Sequence, residues 1–313
     1  MTRVAVATAF GGPEVIAIVD EQLAEPAAGQ VLVEVKAIGV NPIDYKLYSG
    51  AFGSDVSTLP LHLGNEASGV VVAVGDAAQG RGGPVSVGDE VIVKGVGGVY
   101  AEKVLVPAAA VVPKPAELDW ESAAGLLGGA GTAVDTLETV GIAAGDTVLV
   151  HGAAGGVGSI VVQLARARGA RVIGTARAIN HDALREYGAE PVEYGPGLID
   201  RIREVAPDGI DAAIDAVGTD EAIDVSLELL SDTSRLVTIA AFGRAATDGF
   251  PSVGGANPQS VERRSNAALS LIAQAAAGEF TVTIAKTFPL SDAAKAHAEL
   301  QSEHPRGKFV LIP

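Results

Sequence analysis

Residues 147–176, TVLVHGAAGGVGSIVVQLARARGARVIGTA, constrain the fold more than any other stretch of the chain. A short apolar run ends on His151 and a glycine cluster follows. Val157, Ile160, Val161, Leu164 and Ala165 then recur at the spacing of a helix buried on one face, and Gly169 stands where a helix C-terminal cap belongs. Strand, glycine turn, helix and second strand fit into about 30 residues, the length of one βαβ unit. Ala153, Gly155 and Gly158 hold the spacing of G-x-G-x-x-G, with alanine in the first place. Gly155 lets the backbone approach a pyrophosphate, and Gly158 lets the helix lie close to the sheet. The helix start, with Gly156 and Val157 in the turn, offers free N–H groups and a positive dipole end to phosphates. The stretch reads as a dinucleotide-binding turn.

The end of the second strand selects the dinucleotide. A site for NAD places a carboxylate there, on both ribose hydroxyls. Here the strand ends Gly174-Thr175-Ala176-Arg177, and no acidic side chain follows before Asp182. Arg177 is either a solvated loop residue or a charge-assisted partner of a 2′-phosphate. The second reading favours NADPH over NADH.

Around this unit the pattern from residue 146 alternates strand and helix, including "GIDAAIDAVG", "DEAIDVSLELL" and "SRLVTIAAFG", so a parallel sheet wrapped by helices is expected. The first third is different. "VLVEVKAIGV", "GVVVAVG", "VGDEVIVKG" and "YAEKVLVP" are short Val-rich runs cut by Gly, Pro and Asp, the texture of a barrel or sandwich. "ESAAGLLGGAGTAVDTLETVG" reads as helix interrupted by glycines. The last residues form a strand, a helix beginning at a Ser291 cap and a final strand "GKFVLIP", which can fold back onto the first domain. The fold class is α/β.

Cysteine is absent, which excludes disulfides, a catalytic thiol and thiolate metal sites. With 38 acidic against 22 basic residues the formal charge is −16, a balance that repels nucleic acid. No apolar run approaches the roughly 20 residues that span a bilayer, and the N-terminus lacks signal-peptide character. A cytoplasmic protein that binds neither membrane nor nucleic acid is expected.

The chain resembles the zinc-independent quinone oxidoreductases of the medium-chain dehydrogenase/reductase superfamily. The resemblance rests on "GVNPIDYKLYSG" (39–50), "GNEASGVVVAVG" (64–75), "VGDEVIVKG" (87–95), "AAGLLGGAGTAVDTL" (123–137), "HGAAGGVG" (151–158), "DAVG" (215–218) and "RGKFVLIP". It implies a GroES-like β-barrel-type catalytic domain, 1–117 and 281–313, and a Rossmann doubly wound domain, 118–280. It also implies a homodimer pairing Rossmann edge strands, with the segment around "ANPQS" or just before it as candidate strand. Zinc-dependent relatives carry Cys and His where this chain has Asn41 and Asn65. An amide oxygen is a poor zinc ligand, so no zinc is expected. His62, Glu66 and Asp44 are a weaker substitute metal set; Glu66 and Asp44 read better as braces.

On the cofactor side the resemblance implies Thr132, Val217, Gly218, Phe242 and Gly243 around the nicotinamide and its ribose. Thr175, Arg177 and Tyr194 would lie toward the 2′-phosphate, and Ala153, Gly155, Gly156, Val157 and Gly158 would form the turn. Without a metal, an electron-poor acceptor such as a quinone or enone suits direct reduction, helped by one or two hydrogen-bond donors. Candidate donors are Asn41, Tyr45 and Tyr48, with Lys46 as an alternative; one tyrosine packing under the loop is an equal reading. His151 reads as structural. The expected activity is NADPH-dependent quinone reduction. Reduction of enones, enals or 2-enoyl thioesters is the alternative, and non-catalytic NADPH binding is a further one.

Overall fold

The computed structural model describes residues 1–313 apart from Ala256, His304 and the side chain of Glu303. The chain divides into two compact units: residues 1–128, 272–277 and 282–313 form one, and 129–271 with 278–281 form the other.

The first unit is built on antiparallel pairing, apart from Ile284–Pro289, which runs parallel to Lys308–Ile312 at one edge. Along Gln30–Val40 buried and half-buried positions alternate, as period-two strand geometry requires, until both faces are covered at the far end. This strand is the spine of a seven-stranded sheet ordered Val111–Pro113, Glu90–Lys94, Glu66–Val74, Gln30–Val40, Lys308–Ile312 and Ile284–Pro289, with Lys103–Pro107 pairing its first half. Two register shifts against Glu66–Val74 bend the sheet around a core of Val31, Val33, Ile38, Val71, Val93 and Leu311. Thr2–Ala7 forms a smaller sheet with Ile16–Glu21 and Leu61–His62. The C-terminal strand is therefore a central element of the first unit, paired to Ile38, Gly39 and Val40 beside Asn41.

The second unit carries five parallel strands in the order Glu190–Val192, Arg171–Thr175, Thr147–His151, Ala212–Asp215, Leu236–Thr238. In chain order this is third, second, first, fourth, fifth, the doubly wound arrangement. Because all five run the same way, every carboxyl end lies on one edge. Gly169 has a φ of +84° and closes the Gly158–Ala167 helix, as its sequence position implies.

Four local expectations change. Trp120–Thr139 is one unbroken helix in spite of four glycines. These are slots, not breaks: a Cβ on Gly128 would lie 2.7 Å from both Glu66 oxygens, and one on Gly129 would lie 2.9 Å from Ile160 Cδ1. The run "SRLVTIAAFG" gives a strand of only Leu236–Thr238. The Thr238 hydroxyl accepts from the N–H groups of Ala240 and Ala241, which turns the chain into a helix over Phe242–Asp248. Ser291 caps nothing; Leu290–Asp292 is a 3₁₀ turn leading into Ala293–Glu303. Finally, among the described residues Pro258 opens the Pro258–Ala276 helix, so "ANPQS" itself is not a strand beyond Ala256, which lies outside the described residues; just before it, Ser252 makes a single parallel bridge to Thr238. Among the described residues no helix is long and apolar enough to cross a membrane.

Candidate active site

In the second unit nearly all the residues singled out for the cofactor meet at the carboxyl edge of the sheet. The glycine turn follows Thr147–His151, Arg177 follows Arg171–Thr175, and Tyr194 follows Glu190–Val192. Val217 and Gly218 follow Ala212–Asp215, and Phe242 and Gly243 come after Leu236–Thr238. The turn depends on backbone proximity. A Cβ on Gly158 would stand 2.2 Å from the Gly152 carbonyl oxygen, whereas one on Gly155 meets only that same oxygen, at 3.3 Å. The N–H of Ala153 is tied to Thr175 O and that of Gly155 to Gly152 O. The N–H groups of Gly156, Val157 and Gly158 have no protein acceptor among the described residues, so they stand as an open cradle at a helix start. Thr132 lies outside the strand edge, on the Trp120–Thr139 helix, three residues beyond Gly129. A Cβ on Gly129 would come within 3.2 Å of Gly156 O, which places this helix against the turn.

At the selecting position Ala176 is buried, its N–H held by Val192 O, and Arg177 is exposed. Tyr194, Val217 and Phe242 are each nearly half exposed. Thr175 departs from its expected role. Its hydroxyl is buried 3.3 Å from His151 Nδ1, because an inward strand position points it beneath the sheet rather than at its edge. A residue the sequence did not mark holds the neighbouring loop. Buried Asp215 accepts the N–H groups of Val217 and Gly218 on one oxygen, at 3.0 and 2.8 Å, and the Thr238 hydroxyl on the other.

The first unit contains a buried polar cluster around Glu66. Its Oε1 accepts from Lys308 Nζ and from Asn41 Nδ2, each at 2.9 Å, and its Oε2 accepts from Gly128 N at 2.6 Å. Lys94 Nζ stands 3.5 Å from Oε2. Lys308 also donates to Asn41 Oδ1 at 2.5 Å. Burial pushes the Glu66 carboxyl up, but Lys308 and Lys94 outweigh it and hold it at about 2, so it is a carboxylate at neutral pH. Asn41 is thus engaged at both ends of its amide. It orients the cluster and caps the Pro42–Tyr48 helix instead of standing free as a donor, which corrects its expected role.

That helix brings Tyr45 and Tyr48 to different surroundings. Tyr48 is buried, with its hydroxyl 2.8 Å from His297 Nδ1, and His297 Nε2 lies 2.9 Å from the Tyr100 hydroxyl. The Tyr100 hydroxyl donates to Asp44 Oδ2 at 3.0 Å, so it accepts from a protonated Nε2 and leaves Nδ1 to accept from Tyr48. This chain of bonds removes Tyr48 from the candidate donors. Tyr45 is half buried, and burial raises its phenol, so its hydroxyl keeps its proton.

The buried groups set the response to acid. Burial lowers His297 and His151 from 6.5 to about 4, the latter against opposition from Asp215. Each contributes stability that is complete above pH 6.5 and is lost as pH falls through about 4, about 3 kcal/mol apiece. Burial raises Asp44 from 3.8 to about 6, and its Oδ1 has no partner among the described residues. Its contribution has the opposite sign, complete below 3.8 and lost as pH rises through 6. Two histidines, joined below about pH 4.5 by Glu66 and opposed by Asp44, predict a net loss of about 3–4 kcal/mol between pH 7 and pH 4. Urea unfolding across that range checks this; stability that held or rose toward pH 4 would contradict it.

Comparison with known proteins agrees with this architecture. The family described as "Alcohol dehydrogenase GroES-like domain" matches residues 27–116, and "Zinc-binding dehydrogenase" matches 180–311. A "Quinone oxidoreductase" of Pseudomonas aeruginosa is 32% identical over 97% of this chain and 98% of its own length. The human "Synaptic vesicle membrane protein VAT-1 homolog" is 34% identical over 76% of the chain, which spans only 61% of that longer relative. The solved Escherichia coli quinone oxidoreductase complexed with NADPH superposes with a TM-score of 0.86 at 29% identity, covering 100% of both chains. A GroES-like unit, a Rossmann unit and a relative matched end to end place the chain in the quinone oxidoreductase family of the medium-chain dehydrogenase/reductases.

Proposed function

We propose that the protein is an NADPH-dependent oxidoreductase that reduces a quinone without zinc. The observation that carries this reading is the open cradle of Gly156, Val157 and Gly158 N–H groups, with Ala176 where an NAD site has a carboxylate and Arg177 directly after it. When bound, the dihydronicotinamide supplies two electrons and a hydrogen nucleus to an acceptor. The cradle holds the pyrophosphate, Arg177 and Tyr194 take the 2′-phosphate side, and Asp215 fixes the Val217–Gly218 loop beside the ribose. Thr132, Phe242 and Gly243 frame the nicotinamide.

The Glu66 cluster does not fit a zinc ion. Lys308 occupies the Asn41 amide oxygen, and two ammonium groups flank the one carboxylate, which would repel a dication. An acceptor that needs no Lewis acid follows, a quinone or a conjugated carbonyl. A homodimer is expected from the family, and the segment just before "ANPQS", bridged to Thr238 through Ser252, is the candidate for its edge pairing.

Arg177→Ser tests the cofactor choice. The KM for NADPH should rise roughly tenfold to a hundredfold, the worth of a charge-assisted hydrogen bond, with the KM for NADH nearly unchanged. Equal changes for both cofactors would remove Arg177 from the site.

A further inference from the structure

We infer that Thr238 is a positioning residue for the nicotinamide half of the cofactor, acting with Asp215 to hold two loops of the second unit as one wall. This deepens the NADPH reading above and rests on it.

Asp215 and Thr238 stand directly opposite each other on neighbouring parallel strands, and both are buried. Each is the last residue of its strand, so its bonds decide how the chain leaves the sheet. The Thr238 hydroxyl donates to Asp215 Oδ2 at 2.5 Å and accepts from the N–H groups of Ala240 and Ala241 at 3.0 and 2.8 Å. A hydroxyl has one proton and two lone pairs, and all three are used. The other oxygen of Asp215 holds the N–H groups of Val217 and Gly218. Backbone donors from both loops therefore converge on one pair of side chains. None of these N–H groups has a backbone acceptor among the described residues.

The two loops also meet each other and the glycine turn. A Cβ on Gly218, where φ is +81°, would lie 2.8 Å from Ala240 Cβ. One on Gly152 would lie 3.3 Å from the Ala216 carbonyl and 3.5 Å from Val217 Cβ. This contact joins the carboxyl ends of the first and fourth strands, where the strand order reverses and a doubly wound sheet binds its ligand. Here the chain leaves two large apolar side chains in the open, Val217 and Phe242, each 45% exposed. The cradle N–H groups suit a charged pyrophosphate, and apolar side chains beside them suit an uncharged ring. Loops already fixed by Asp215 and Thr238 need no ordering when that ring binds. The 2′-phosphate side, with Arg177 and Tyr194, follows the second and third strands and makes no use of the pair.

The test compares wild-type protein with Thr238→Val, Thr238→Ser and Asp215→Asn. Valine keeps the branched shape and strand preference of threonine but removes the hydroxyl, and serine keeps the hydroxyl. Affinities for NADPH and for adenosine 2′,5′-bisphosphate, which lacks the nicotinamide half, are measured by calorimetry, and melting temperatures confirm folding. Thr238→Val should weaken NADPH binding about tenfold and leave the bisphosphate unchanged. Thr238→Ser should bind both as the wild type does. Asp215→Asn, with one acceptor oxygen instead of two, should repeat the valine result and decides the matter if Thr238→Val does not fold. Equal weakening of both ligands, or of neither, overturns the inference, because a residue that only stabilises the fold has no reason to separate them. Quinone reduction is measured in parallel. If the split is seen but the wild-type protein reduces no acceptor, the positioning role stands and the reductase reading falls. A wild-type protein that binds neither ligand overturns both.

Discussion

Replacing Glu66 with glutamine should lower the unfolding free energy by about 3–5 kcal/mol, the range for breaking a buried ion pair from one side. The loss is not the value of the pair itself. Lys308 stays 7% exposed with its ammonium aimed at a neutral amide, and Lys94 stays beside it, so two positive charges share a site with only Asp44, outside ion-pair distance, as counter-charge. The double variant Glu66→Gln/Lys308→Met separates these contributions. Removing the second charge should recover at least half of the loss, since an apolar side chain of similar length fills the space against Gly125. Denaturant unfolding at neutral pH measures both. Additive losses in the double variant would show that Glu66 and Lys308 do not act as a unit.

Two glycines of the turn should respond differently to the same change. Gly158→Val forces a Cβ into backbone, with the Gly152 oxygen at 2.2 Å, the Gly152 carbonyl carbon at 2.9 Å and Ala153 Cα at 3.0 Å. No side chain can move aside, so the helix start must withdraw from the strand. A stability loss of about 2–4 kcal/mol and a loss of NADPH binding of at least about a hundredfold are expected. Gly155→Val meets a single backbone oxygen at 3.3 Å, so the fold should hold within about 1 kcal/mol. The new side chain stands in the cradle, and NADPH affinity should still fall at least about tenfold. Calorimetric binding and thermal unfolding on both variants separate packing from phosphate approach. Intact NADPH binding in Gly155→Val would move the pyrophosphate away from this turn.

The second unit was legible because its signals are local. The glycine spacing, the apolar face from Val157 to Ala165 and the alternation of strand and helix each lie within one βαβ unit. Errors there came from side chains bonding to backbone close by. Thr238 ended a strand that β-branched composition would have extended. The glycines of Trp120–Thr139 looked like breaks because what fills their faces, Glu66 and Ile160, comes from elsewhere in the sequence.

The first unit hid its site for the same reason. Asn41 and Lys308 are separated by 267 positions, and Glu66 and Lys308 by 242. No periodicity joins them; they meet because Lys308–Ile312 pairs with the end of Gln30–Val40. Glu66 and Asp44 were readable as braces, but their partners were not. A faint signal existed in the final "GKFVLIP", where a lysine opens an otherwise apolar strand and so needs a buried counter-charge. Tyr48 was ambiguous for a related reason: His297, which takes its hydroxyl, lies on the C-terminal Ala293–Glu303 helix.

The most direct test of the central claim follows loss of dihydronicotinamide absorbance with NADPH and with NADH in parallel, against a benzoquinone, a naphthoquinone, an enone and a 2-enoyl thioester, with and without a chelator. Turnover of the quinones with NADPH, unchanged by the chelator and at least about tenfold better in kcat/KM than with NADH, is the predicted result. Turnover confined to the enone or thioester would move the acceptor to activated double bonds. Preference for NADH, or activity that vanishes with the chelator, would contradict the account.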